Sequence, residues 1–139
     1  MTNLFIDTDV IIDFLIDRKP FSREAAIIFT LIEQKKLKGY DSSMTFSNLY
    51  YVLRKFEPHN KVISKLESLS KILTIVKVEE QTIKKALASG FSDFEDSIQY
   101  FSAIENKKID VIITRNTKDF KKSDISIMTP GDYLKTVSR

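Results

Sequence analysis

The chain predicts an α/β fold, a three-layer α/β/α sandwich with a central parallel sheet. Three observations carry this. Apolar runs of strand length alternate with stretches whose apolar residues recur at helical spacing, the pattern of parallel strands covered by helices on both faces. The run Asp110-Val111-Ile112-Ile113-Thr114 is apolar without alternation, as in a strand buried on both sides. Only three Gly and three Pro occur in 139 residues, too few for the tight turns of a hairpin-rich fold. The length suits one domain, residues 1–139.

Leu4-Phe5-Ile6 opens as a buried strand ending on Asp7, and Thr8 or Asp9 caps the helix that Val10, Ile11, Phe14 and Leu15 continue. Residues 22–35 carry Ala25, Ile28, Phe29 and Ile32 at helical spacing, and 37–41 form a second strand. Helical spacing returns over 44–56 through Phe46, Leu49, Tyr50 and Leu53. After a turn at Glu57-Pro58-His59-Asn60, a further helix runs through Val62, Leu66 and Leu69. Residues 72–78 are β-branched and read as a strand, and 79–89 as a short helix stopped by Gly90. A helix over 93–107 places Phe94, Ile98, Phe101 and Ile104 on neighbouring faces. The buried strand 110–114 follows, then a short strand over 125–128. Thr129-Pro130 reads as N-cap and first residue of a closing helix through Tyr133, Leu134 and Val137.

Composition narrows the chemistry. The absence of cysteine excludes disulfides, thiolate zinc sites and thiol catalysis. The single histidine, His59, sits in the turn segment, so Ser-His-Asp triads and His-rich metal sites are poor candidates. A hydrolase built from this chain must work through carboxylates and a hard metal ion. No apolar run approaches the ~20 residues of a membrane span, and the N-terminus lacks the sections of an export signal, so a cytoplasmic protein without membrane contact is expected. A formal net charge of +3 permits contact with nucleic-acid phosphates without requiring it.

Three segments offer acids to one sheet edge: Asp7 with Asp9 and Asp13; Ser92-Asp93-Phe94-Glu95-Asp96 at a helix start; and Thr114-Arg115-Asn116-Thr117-Lys118-Asp119-Phe120 after the buried strand. Oxygen ligands of this kind suit Mg²⁺ or Mn²⁺ shared with a substrate phosphate. Local roles compete with that chemistry. Ser92 and Glu95 have capping-box spacing, which accounts for Glu95 and partly for Asp93 but less well for Asp96. Asp9 reads as an N-cap, Asp13 equally as solvated or functional, and Asp119 as a cap on a short turn. Asp7 has the weakest structural reason to be where it is. It ends a strand at the edge where α/β sheets bind ligands, and a carboxylate there is costly to hold dry.

The order and spacing of these segments together resemble PIN-domain ribonucleases, in particular the VapC-type toxins of bacterial toxin–antitoxin pairs. The resemblance runs essentially end to end, through residues 5–13, 93–100, 112–120 and the closing Thr129-Pro130-Gly131-Asp132-Tyr133-Leu134. It implies a PIN-like fold and an endoribonuclease in which a metal-activated water attacks phosphorus. By that likeness Asp7 and Asp96 hold Mg²⁺ or Mn²⁺ directly or through water, and Asn116 and Asp119 bind metal or position the attacking water. Thr114 orients the site through its hydroxyl, and Asp93 is an auxiliary acid. RNA as substrate, a cognate antitoxin and a homodimer are implied as partners; Tyr50 and Tyr51 are amphipathic enough to cover a protein contact.

One departure matters. The glutamate that the family usually places in a phrase similar to Thr45-Phe46-Ser47-Asn48-Leu49-Tyr50-Tyr51-Val52-Leu53 is Asn48 here, and no acid lies between Asp41 and Glu57. Asp93 or Asp9 is left to compensate, or the site is weaker, and Asn48→Glu is expected to tighten Mg²⁺ binding. Among the basic groups, most read as solvated faces. Arg115, Lys118, Lys121 and Lys122 border the acidic segment instead, and Arg115 and Lys118 are expected to touch the RNA backbone.

Two rival readings stand beside this one. Asp7-Thr8-Asp9-Val10 fits the D-x-D-x-[TV] phrase of haloacid-dehalogenase-like phosphatases, with Ser42 or Ser43 for phosphate and Asp93 with Asp96 for Mg²⁺. That assignment leaves residues 114–120 without a role. The other is a PIN-like module that binds RNA or protein without cutting, on account of Asn48.

Overall fold

The structure, a computed structural model, describes residues 1–120 and 123–137; Lys121 and Lys122, expected beside the acidic segment, lie outside the described residues. Five strands, β1 (Thr2–Ile6), β2 (Leu37–Ser42), β3 (Leu73–Val76), β4 (Val111–Ile113) and β5 (Ser126–Met128), form one sheet in the order β3-β2-β1-β4-β5. All four pairings are parallel, with Phe5 of β1 opposite Tyr40 on one side and Ile112 on the other. The helices are α1 (Thr8–Leu15), α2 (Ser22–Glu33), α3 (Ser43–Leu53), α4 (His59–Ile72), α5 (Glu80–Ala88), α6 (Phe94–Glu105) and α7 (Pro130–Val137), with a 3-10 turn at Thr117–Phe120.

Alternation along β1 builds two cores. Leu4 and Ile6 point into the larger one with Val10, Phe29, Leu49 and Leu53, under α1 to α4 and α7. Phe5 points the opposite way, onto Tyr40, Tyr100, Ile112 and Phe120, under α6, against which α5 packs. The central strand is therefore covered on both faces, as its unbroken apolar sequence requires.

Topology places the site. The chain leaves β1 toward β2 and β3, then returns across the other face to β4 on the far side of β1. The carboxyl ends of β1 and β4 thus border the switch point where open α/β sheets bind ligands.

Several local expectations are corrected. The strand expected over 72–78 is shorter, because Ile72 closes α4; as an edge strand it leaves Ile75 exposed. His59 begins α4 instead of lying in a turn, with Pro58 as N-cap, and its Nδ1 lies 2.8 Å from the Tyr50 hydroxyl. Phe94 is 48% exposed and contributes nothing to the core. Thr129 does cap the last helix, accepting the Asp132 amide at 3.1 Å. Among the described residues, no helix is long and apolar enough to cross a membrane.

Candidate active site

Asp7 follows β1 and is itself the N-cap of α1, which corrects the expectation that Thr8 or Asp9 would cap. Its backbone is already extended, so the carboxylate reaches the first free amide, accepting from Thr8 N–H at 2.8 Å. The other carboxylate oxygen accepts the Thr114 hydroxyl at 2.7 Å, and the Asp7 amide donates to the Ile113 carbonyl at 2.9 Å. Asp7 is thereby fixed between β1 and β4 at the switch point, 4% exposed. Asp9, in the first turn of α1, keeps Oδ1 buried with no hydrogen-bond partner.

Asp93 is the N-cap of α6, accepting the Asp96 amide at 2.9 Å, so the Ser92/Glu95 capping box does not form. Asp93 takes the role because it is the extended residue immediately before the first helical one, Phe94. This frees Glu95, which lines a cavity of about 520 Å³ with Asp7, Asp9, Asn48, Asp93, Asp96 and Asn116. Asn116 donates from its amide to Asp96 Oδ2 at 3.4 Å and to Asp119, joining the start of α6 to the 3-10 turn. Thr114 links the two halves: its hydroxyl donates to Asp7 and accepts the Asn116 backbone N–H at 3.1 Å. Asp7, Asp9, Asp93 and Asp96 are thus gathered around one cavity, whereas Asp119 stands behind Asn116 and neither it nor Asp13 lines the cavity.

The electrostatics are those of crowded anions; of Asp7, Asp9, Glu95 and Asp96, the charge of Arg115 acts on Asp9 alone, against its burial. Burial pushes the Asp7 carboxyl up to about 7, helped by Asp9 and Glu95 and opposed by the bonds from Thr114 and Thr8. Asp96 rises to about 8, first through burial, then through its contact with Asp119 and the charges of Asp7 and Asp93. Asp9 and Glu95 are also raised, chiefly by burial. Among the described residues no three acids are drawn tightly enough together to hold an ion as they stand, as like charges facing one another would dictate. The donor set nevertheless fits a hard divalent cation: it is all oxygen and anionic, and it includes the orphaned Oδ1 of Asp9.

A buried polar hub, not anticipated from sequence, holds the walls in place. Gln99, one turn beyond Asp96, donates to the Thr8 and Thr45 hydroxyls, each at 2.9 Å, and accepts the Ser42 hydroxyl at 2.7 Å. These four side chains come from the starts of α1 and α3, the middle of α6 and the end of β2, and all are buried. The same bond commits Ser42 inward, Ser43 accepts the Val78 amide at 3.2 Å, and neither serine lines the cavity.

The cations behave differently from expectation. Arg115 turns away from the cavity onto buried Asp13, with Nε 2.6 Å and Nη2 3.3 Å from its carboxylate oxygens, and lies over the Phe21 ring at 4.1 Å. Asp13 is therefore neither solvated nor part of the site. Lys118 is exposed and lines a separate depression with Phe91 and Asp119.

Fold and site together define a class: an open parallel α/β protein with an acid-lined, all-oxygen cavity at its switch point. A family model described as PIN domain matches residues 3–118, and the chain belongs to that family. Ribonuclease VapC1 of Aquifex aeolicus (strain VF5) is 27% identical over 135 residues, covering 94% of this chain and 92% of that protein. Among solved structures, DNA-bound VapBC from Salmonella typhimurium superposes with a TM-score of 0.68 at 21% identity, covering 94% of this chain and 99% of that one. A toxin–antitoxin complex from Klebsiella pneumoniae superposes with a TM-score of 0.67 at 21% identity, covering 91% and 97%. PIN-domain ribonucleases generally use divalent metal ions.

Proposed function

We propose that this chain is a divalent-metal-dependent endoribonuclease, the toxin member of a toxin–antitoxin pair, using Mg²⁺ or Mn²⁺ in the cytoplasm. The observation that carries the proposal is the convergence of Asp7 and Asp96 on one cavity at the switch point, in a chain of the PIN family. A bound divalent ion supplies Lewis-acid activation of the phosphate and of a water. Asp7 and Asp96 hold that ion, with Asp9 beside them. Thr114 keeps the Asp7 carboxylate turned to the cavity through its 2.7 Å bond. Asn116, backed by Asp119, orients the attacking water, while Asp93 fixes Asp96 by capping its helix. Of the two cations expected to touch RNA phosphates, Lys118 is the exposed one, since Arg115 is engaged with Asp13. Relatives described as toxin–antitoxin complexes support an antitoxin partner. A homodimer follows from family likeness, and exposed Tyr51 at the cavity rim is suited to a macromolecular contact.

The test is incubation with defined RNAs, with Mg²⁺ or with EDTA, comparing wild type with Asp96→Asn. Internal cleavage that needs the metal and drops at least about a hundredfold in the variant is expected. RNA binding without cleavage by the wild type would favour a non-cutting module instead.

A further inference from the structure

The cavity has one wall without an acid. From α3 it receives Ser47, Asn48, Tyr51 and Val52, none of which carries charge. Opposite stands Glu95, which the N-cap role of Asp93 releases from capping, and with which no cation forms an ion pair among the described residues. We propose that Glu95 is a metal-holding residue of this site and Asn48 its positioning partner, so that the carboxylate missing from α3 is reached across from α6.

Three observations support this. Glu95 is one of the cavity-lining residues, together with both Asp7 and Asn48. The Asn48 side-chain amide lies beside its carboxylate. The neighbour of Glu95 in the first turn of α6, Asp96, lines the same cavity. A fourth carboxylate beside Asp7, Asp9 and Asp93 adds to the anionic charge that a cation would relieve. The sequence-based expectation that Asp93 or Asp9 compensates for Asn48 thus passes to Glu95.

A simpler role exists for an acid in the first turn of α6, that of complementing the helix dipole. That role depends on the charge of Glu95 but not on what residue 48 is, and the two are separable. The inference rests on the metal-dependent reading of the site, so Asp96→Asn is included to report on that reading independently.

The experiment is calorimetric titration of Mn²⁺ into wild type, Glu95→Gln, Glu95→Gln/Asn48→Glu and Asp96→Asn, each checked for folding by its thermal transition. Glu95→Gln is expected to weaken Mn²⁺ binding about tenfold or more. The double variant, with a carboxylate restored from the α3 wall, is expected to return to within about threefold of wild type, half a kcal/mol or so. Asn48→Glu alone gains less than it does in the Glu95→Gln background, because it then places two carboxylates together. Unchanged affinity in Glu95→Gln with loss in Asp96→Asn overturns the role of Glu95 and leaves the site intact. A double variant as weak as Glu95→Gln overturns the exchange. Unchanged affinity in Asp96→Asn removes the metal site itself, and this inference with it.

Discussion

Asp7 and Asp13 lie six residues apart on one stretch of chain, and both are buried, at 4% and 1% exposure. Asp13 is neutralised from within: Arg115 grips it with two nitrogens and Arg18 adds a third at 3.6 Å. Asp7 receives only neutral donors, the Thr8 amide and the Thr114 hydroxyl, and its charged neighbours Asp9 and Glu95 are anions. A structural carboxylate has been given its cation by the protein, whereas the site carboxylate is left to take one from solution. The difference separates two buried acids of one short segment, of which the sequence singled out Asp7 and left Asp13 open.

The comparison is broken most forcefully at Arg115. Arg115→Ala leaves Asp13 buried with one partly exposed arginine, and a loss of about 2–4 kcal/mol in urea unfolding is expected, toward the lower end of the range for a buried pair because Arg115 is itself partly exposed. A change under about 0.5 kcal/mol would reduce the pair to a surface contact and erase the contrast.

Gln99→Leu sharpens the other side. It strips three buried hydroxyls of a partner, at a cost of about 1–3 kcal/mol, and loosens the walls that carry Asp7, Asn48 and Asp96. Mn²⁺ affinity is expected to fall with all acids present; unaltered affinity would show that the hub braces the fold alone.

The contrast also extends to the pH dependence. Asp41 is a third buried acid, fully enclosed, with neither carboxylate oxygen hydrogen-bonded, and burial lifts it to about 8. Asp7 and Asp96 are raised likewise, to about 7 and about 8. Folded chains keep these protons after unfolded chains, titrating near 3.8, have lost them. Metal-free stability therefore falls as pH rises from about 4 to about 8 and levels off above. In EDTA, the Tm of Asp41→Asn is expected to decline less than that of wild type between about pH 5 and pH 8. Divalent metal should flatten the share due to Asp7 and Asp96 but leave that of Asp41, which lies outside the cavity. Identical slopes in wild type and variant would exclude Asp41 from this account.

What sequence made legible was whatever depends on local order. The apolar run through Ile112 announced a buried strand, and Asp7 at a strand's end announced the site edge. Local competition was harder to judge. Asp7, Thr8 and Asp9 all suit a helix start, and only the extended backbone at Asp7 decides among them. Ser92 and Asp93 compete for one helix, and the outcome determines whether Glu95 is a cap or faces the cavity. Contacts between distant segments left no local trace: Arg115 reaches Asp13 and Gln99 reaches Thr8 only because the return to β4 sets those segments side by side. Arg115 was expected at RNA because it neighbours an acidic phrase in sequence; in space its guanidinium is taken up by Asp13.

The most direct test of the central contrast is the thermal transition of wild type and Asp7→Asn with and without saturating Mg²⁺. Relief of an uncompensated buried charge should make metal-free Asp7→Asn as stable as wild type or more so at pH about 8, while Mg²⁺ raises the Tm of wild type and leaves the variant unmoved. An equal rise in both proteins would contradict the claim that Asp7 awaits a cation.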